Sequence, residues 1–181
     1  KIDHLQKAID AGLLKASDLT DKPITATQVE TLFAFLQDMQ VVSVFATADI
    51  HGNYIPYTSS DGKFEIGSVA RIKTVMNEVE ARLGEDHVIY VDGGDSPYNT
   101  TLANVSMGNV SVDALSALGL DATVLGNHDF DYSLENLLRL RDRAQYAMLS
   151  ANTKFKEGKA YAGEKEYPFG DYITKEAAGL K

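Results

Sequence analysis

The sequence predicts an α/β fold: a βαβαβ parallel sheet preceded by a helical hairpin. Three observations carry this reading. Four short runs, 41–47, 87–91, 122–125 and 146–150, have the length and the β-branched and aromatic content of buried strands. Between them, 66–83, 102–118 and 134–144 place apolar residues at helical spacing, and strands alternating with helices assemble through right-handed crossovers into a parallel sheet. After each of the first three strands the chain turns to glycine and small polar residues, the mark of loops at a sheet edge.

Taken in order, residues 1–40 read as a helical hairpin. Leu5, Ala8, Ile9 and Leu13 share one helical face, and Leu32, Phe33, Leu36 and Met39 another, with Pro23 breaking the chain between them. Thr25 or Thr27 is a suitable N-cap for the second helix. Residues 41–181 form the second unit. Its first strand is the run Val-Val-Ser-Val-Phe-Ala-Thr at 41–47; the helix at 66–83 is closed by Gly84, and the helix at 102–118 by Gly119. The strand His-Val-Ile-Tyr-Val at 87–91 lies between those two helices. Ser133 is placed to cap the helix at 134–144. The tail, 153–181, is richer in Lys, Glu, Gly and Tyr, and the reading allows a hairpin or irregular strands around Tyr161 and 172–174.

Composition narrows the function. With 26 acidic and 17 basic residues the 181-residue chain carries a formal charge of −9, opposite to the basic stripe of a nucleic-acid binder. It has no cysteine, which excludes thiol nucleophiles, cysteine-ligated zinc and disulfides. No apolar run approaches the ~18 residues of a membrane helix. Neither a nucleic-acid polymer as partner nor membrane insertion is therefore expected.

In an open parallel sheet, ligands bind beyond the carboxyl ends of the strands, where the loops converge. The first strand leads into Asp49-Ile50-His51-Gly52-Asn53, the second into Asp92-Gly93-Gly94-Asp95-Ser96, and the third into Gly126-Asn127-His128-Asp129-Phe130-Asp131. Asp49 and His51, two apart in extended chain, can face one ion. Asp95 has two oxygens and can bridge two ions, and Asn127 offers a neutral oxygen. Such sulfur-free O and N donors suit Mn, Zn, Fe, Co or Ni better than a Ca or Mg cage. His128 follows Asn127 and points the other way, toward a substrate, and Asp131 is spaced to hold its imidazole and keep it protonated. Taken singly, each loop is an ordinary turn: Asp-Gly pairs are turn signals, and Asn127 with Asp129 can cap and begin a helix. Together, at successive strand ends, they point to a metal site.

These residues resemble the opening motifs of the calcineurin-like metallophosphoesterases: Asp49-x-His51-Gly52, Gly94-Asp95 and Gly126-Asn127-His128-Asp129. The run 125–131, with Ala117 to Thr123 before it and Leu149 to Asn152 after it, resembles the 5′-nucleotidase branch in particular. The resemblance covers about residues 41–181. It implies the first half of a four-layer αββα sandwich and a dinuclear site: Asp49 and His51 on one ion, Asp95 bridging, Asn127 on the second, and His128 with Asp131 as a catalytic pair. It further implies attack of a metal-activated water on a nucleoside phosphate or related ester. The cyclic-nucleotide phosphodiesterases and nucleotide-sugar hydrolases are the neighbouring alternatives, and a non-catalytic surface module is another.

The sequence also departs from the family. Asp129 stands where Glu is usual, and 96–100 reads Ser-Pro-Tyr-Asn-Thr in place of a Gln-Gly step. No histidine follows His128, whereas the family completes its site with later histidines, so the sequence is expected to stop midway through the catalytic domain. Residues 5–37 resemble part of an S-layer homology module, with a plain helical cap on the sheet as the alternative reading. That likeness implies a bacterial extracellular or surface location and contact with cell-wall polymer.

Overall fold

The computed structural model describes residues 40–157, 163 and 165–180. The helical hairpin expected over 1–40, the S-layer-like pattern within it and the irregular strand around Tyr161 lie outside the described residues. The unit described below runs from Val42.

In chain order the elements are β1 (Ser43–Thr47), β2 (Tyr57–Thr58), β3 (Glu65–Ile66), α1 (Val69–Leu83), β4 (Val88–Asp92), α2 (Thr101–Val105), α3 (Asn109–Leu118), β5 (Ala122–Val124), α4 (Leu134–Arg143) and β6 (Ala147–Leu149). Strands β1, β4, β5 and β6 make one sheet in that order. Every pairing in it is parallel, with Thr47 opposite Asp92, Asp92 opposite Thr123, and Thr123 opposite Met148. This is the parallel α/β sheet that the sequence predicts, and its strand order carries the first three strand ends side by side along one edge.

Pleating sends Phe45, Val88 and Tyr90 to one face, where they meet Met76 of α1 and Leu115 and Leu118 of α3 in one core cluster. A second cluster gathers Val112 of α3, Leu137, Leu138 and Leu140 of α4, Met148 of β6 and Tyr98. Leu137 and Leu140 are fully buried, each contributing about 1.5–3 kcal/mol relative to exposure. The sequence pattern finds these helices because their apolar rows face a single sheet.

Several boundaries differ from the expectation, each for a local reason. The helix expected at 66–83 begins at Val69, because Gly67 and Ser68 both have positive φ. The residues before it, Glu65–Ile66, pair antiparallel with Tyr57–Thr58 in a small hairpin that two-residue strands are too short to announce. The strand expected from His87 begins at Val88, since Glu85–His87 is a 3₁₀ turn. The helix expected at 102–118 is two helices: Met107 and Gly108 take φ of 50° and 83°, and a Cβ on Gly108 would stand 2.7 Å from Leu140. Ser133 caps α4 as expected, its hydroxyl accepting from the Asn136 amide at 3.3 Å. At 172–174 there is no strand. The tail instead bridges β6 in parallel fashion, Leu149 opposite Gly170. No helix of the described residues is long and apolar enough to cross a membrane.

Candidate metal centre

The three loops at the carboxyl edge are laced together by their own backbones. Asp49 N–H donates to Gly94 O (2.9 Å), His51 N–H to Asp95 O (3.1 Å) and Gly52 N–H to Ser96 O (3.0 Å), extending the β1–β4 pairing past the strands. The third loop joins through side chains. Asp95 Oδ1 accepts from the His128 amide at 2.7 Å. Asp129 Oδ2 accepts from the amides of Asp95 (2.9 Å) and Gly126 (2.8 Å), so one carboxylate oxygen ties the second loop to the third. Gly94 permits this contact: at φ 90° a side chain there would be strained, and its Cβ would lie 2.5 Å from the Gly126 nitrogen.

Asp92, the last residue of β4, anchors the base of the site. It is 4% exposed. Its Oδ1 accepts from the Gly94 amide (3.0 Å) and the hydroxyls of Ser96 (2.9 Å) and Thr123 (3.0 Å), and its Oδ2 from the Thr47 hydroxyl (2.6 Å). The donors come from three strand ends, so Asp92 fixes the spacing between them. Sequence reasoning assigned Asp92 no role; an Asp before two glycines is indistinguishable from a turn signal.

Above this base Asp49, His51 and Asp95 bring their ligand atoms within 4.8 Å of one another. All three have positive φ, 53°, 49° and 56°. That region is uncommon for side-chain-bearing residues and costs of order 1 kcal/mol or more at each. The interloop hydrogen bonds hold them there. His51 Nε2 is 3.7 Å from Asp49 Oδ1. Neither Asp49 nor Asp95 has a Lys or Arg partner among the described residues, leaving two converging carboxylates that a cation would balance. Two carboxylates and an imidazole are a donor set that fits a borderline divalent ion.

Asn127 heads the 3₁₀ turn His128–Phe130, and its side chain makes no capping bond. It is exposed at the same edge, one residue before the amide that binds Asp95. His128 Nδ1 lies 2.8 Å from Asp131 Oδ2, and this hydrogen bond, with added attraction from Asp131, Asp95 and Asp129, holds the imidazole pKa above its ordinary value. The His128 ring meets that of His51 edge to face, centroids 5.1 Å apart. Asp129, in the first turn of that 3₁₀ helix, turns its carboxylate inward, and burial pushes its carboxyl up to about 6 against the two amides from which it accepts. His87 lies before β4, at the opposite end of that strand.

The structure thus gathers Asp49, His51 and Asp95, sets His128 against Asp131 beside them, gives Asp92 and Asp129 the task of tying the loops together, and brings in Asn99, whose side-chain amide lies 2.8 Å from His51 Nδ1. Acidic and imidazole groups on the carboxyl-edge loops of a parallel sheet make this an α/β protein with a candidate metal-binding edge. The chain belongs to the calcineurin-like phosphoesterase family, whose model matches residues 42–174. It is 34% identical over 122 residues to 5′-nucleotidase of Bos taurus, covering 64% of this chain and 21% of that protein. With 5′-nucleotidase of Homo sapiens it shares 32% over 146 residues, 74% of this chain and 25% of that one. The crystal structure of a 5′-nucleotidase precursor from Thermus thermophilus superposes with a TM-score of 0.54 at 28% identity, over 61% of this chain and 22% of that chain. The chain spans about a fifth to a quarter of the length of these relatives.

Proposed function

We propose that the protein hydrolyses phosphate esters, nucleoside monophosphates first among them, at a centre of two divalent ions. The observation that carries this is the convergence of Asp49, His51 and Asp95 within 4.8 Å, with His128 and Asp131 paired beside them. Asp49 and His51 would hold one ion, Asp95 would bridge, and Asn127 would hold the second; Mn, Zn, Fe, Co and Ni suit these donors. Bound there, such ions supply positive charge to the phosphoryl oxygens and activate a water as nucleophile.

The remaining work falls to the chain's own side chains. His128, kept protonated by Asp131, presents Nε2–H to a phosphoryl oxygen or to the departing oxygen, a contribution of typically 10²- to 10⁴-fold in rate. Asp131 fixes the ring by accepting from Nδ1–H. Asp92 and Asp129 hold the loops in register, so that ligands from three strand ends face one point. The nucleoside preference is supported by the names of the relatives. An extracellular setting and contact with cell-wall polymer belong to this reading only through the module-like amino-terminal pattern.

The test is hydrolysis by full-length protein supplied with Mn or Zn. AMP should be cleaved. Preference for 2′,3′-cyclic AMP or a nucleotide sugar would move the reading to the neighbouring branch, and inertness toward these and p-nitrophenyl phosphate would falsify it in favour of a binding module. Within it, Asp95→Asn should weaken metal binding, while His128→Ala should lower kcat about 10²-fold or more with metal content retained. Equal metal loss in both variants removes the division of roles.

A further inference from the structure

The segment 96–100, where this chain departs from its family, lies directly on the loop that carries His51. Thr100 Oγ1 donates to Gly52 O at 3.0 Å and also accepts from the Ala103 amide that opens α2. One residue earlier, Asn99 stands at φ 91°, its amide N–H held by Asn104 Oδ1 at 3.0 Å. From there its side-chain amide reaches His51 Nδ1 at 2.8 Å. The other ring nitrogen, Nε2, faces Asp49.

We infer that Asn99 is a positioning residue for the metal centre: it holds the His51 ring through Nδ1 and so aims Nε2 at the ion. The inference rests on the metal-site reading above. An amide suits this task because it can meet either tautomer. Its NH₂ donates to an unprotonated Nδ1, and after rotation its carbonyl oxygen accepts from Nδ1–H once Nε2 has become the ligand. Partners of this kind on a ligating imidazole usually contribute 10- to 100-fold in metal affinity. At Asn99's φ of 91° glycine would sit without strain.

That last point supplies a clean variant. Asn99→Gly removes the amide while relaxing the backbone, so it should fold at least as well as the parent. Asn99→Asp keeps an acceptor and loses the donor. The readout is ¹⁵N chemical shifts of the His51 ring in the chelator-treated 181-residue chain, at about two pH units above the ordinary imidazole value. The parent should carry its ring proton on Nε2, Asn99→Asp should move it to Nδ1, and Asn99→Gly should show the mixture of an unrestrained ring. In Co²⁺ titrations Asn99→Gly should bind about 10-fold more weakly than the parent, and Asn99→Asp should bind no more weakly than the parent. One tautomer pattern shared by all three chains, or equal Co²⁺ affinity in parent and Asn99→Gly, overturns the inference. A parent that binds no Co²⁺ while the tautomers shift as stated overturns the positioning role in this chain and leaves only the Asn99–His51 contact standing, the metal-site reading being decided separately by the hydrolysis test above.

Discussion

Asp92 is 4% exposed and accepts four hydrogen bonds, while Asp49, at the same carboxyl edge, is exposed, with His51 Nε2 3.7 Å from its Oδ1. The two acids share a chemistry and differ in what surrounds them. Asp92→Ala strands four donors around a cavity and should cost at least about 3 kcal/mol in urea unfolding, given ~1–3 kcal/mol for each buried group left unsatisfied. Asp92→Asn should cost about 1 kcal/mol or less. Its carbonyl oxygen keeps three donors, and its NH₂ can donate to Thr47 Oγ1, whose proton then turns to the Tyr90 hydroxyl 3.0 Å away. Similar costs for Ala and Asn would show that Asp92 acts through charge and not through this acceptor geometry. The metal ligands were legible as residues because Asp, His and Asn after an apolar run are conspicuous. Asp92, Asp129 and Asn99 were not, because an Asp or Asn in a turn looks the same whether its side chain faces water or a buried amide.

At the level of elements, the sheet and its three covering helical segments follow from local pattern, and the misreadings fall at boundaries where a distant contact decides. The break between α2 and α3 is the clearest case: Leu102 to Leu118 has uninterrupted helical periodicity apart from one glycine, yet Leu140 of α4 and Tyr98 occupy the space a Gly108 side chain would need. Gly108→Ala should therefore destabilise by about 1–3 kcal/mol, combining positive-φ strain with overpacking; a stability equal to the parent would mean that α4 moves freely against this turn. Helices α3 and α4 are also tied by a two-pronged pair, Arg143 Nε and Nη2 to the Asp113 oxygens at 2.6 Å each. Arg143 holds the Asp113 pKa below its ordinary value. For an acid with a depressed folded pKa, the stabilising contribution is present above the unfolded value of 3.8 and is lost as pH falls through the lower folded value. Arg143→Leu should thus show a small loss of stability at neutral pH that shrinks toward zero in acid, measured as the difference in urea midpoint. Both side chains are exposed, so the loss is modest and falls with added salt.

For the whole molecule, charge and metal are linked. A chain of net charge −9 with two carboxylates converging at the site gains from a divalent cation both balance at that point and relief of wider repulsion. At about a hundredfold excess over its dissociation constant, a cation that binds only the folded state adds about 2.7 kcal/mol. For a chain of this size that is a rise of roughly 5–10 °C in melting temperature. Co²⁺ or Mn²⁺ should produce it, a chelator should reverse it, and Asp95→Asn should abolish most of it. An equal rise in Asp95→Asn would place the cation elsewhere. The sequence alone determined the order of the four strands of the parallel sheet, the helical segments between them and the identity of the groups at its carboxyl edge, since periodicity and turn residues act within a few positions of themselves. The tertiary structure decided how those groups are held. Thr47 reaches Asp92 across 45 residues, Asp129 reaches Asp95 across 34, and Asn99 reaches His51 across 48, separations over which no local pattern carries information and only the packed sheet brings donor to acceptor.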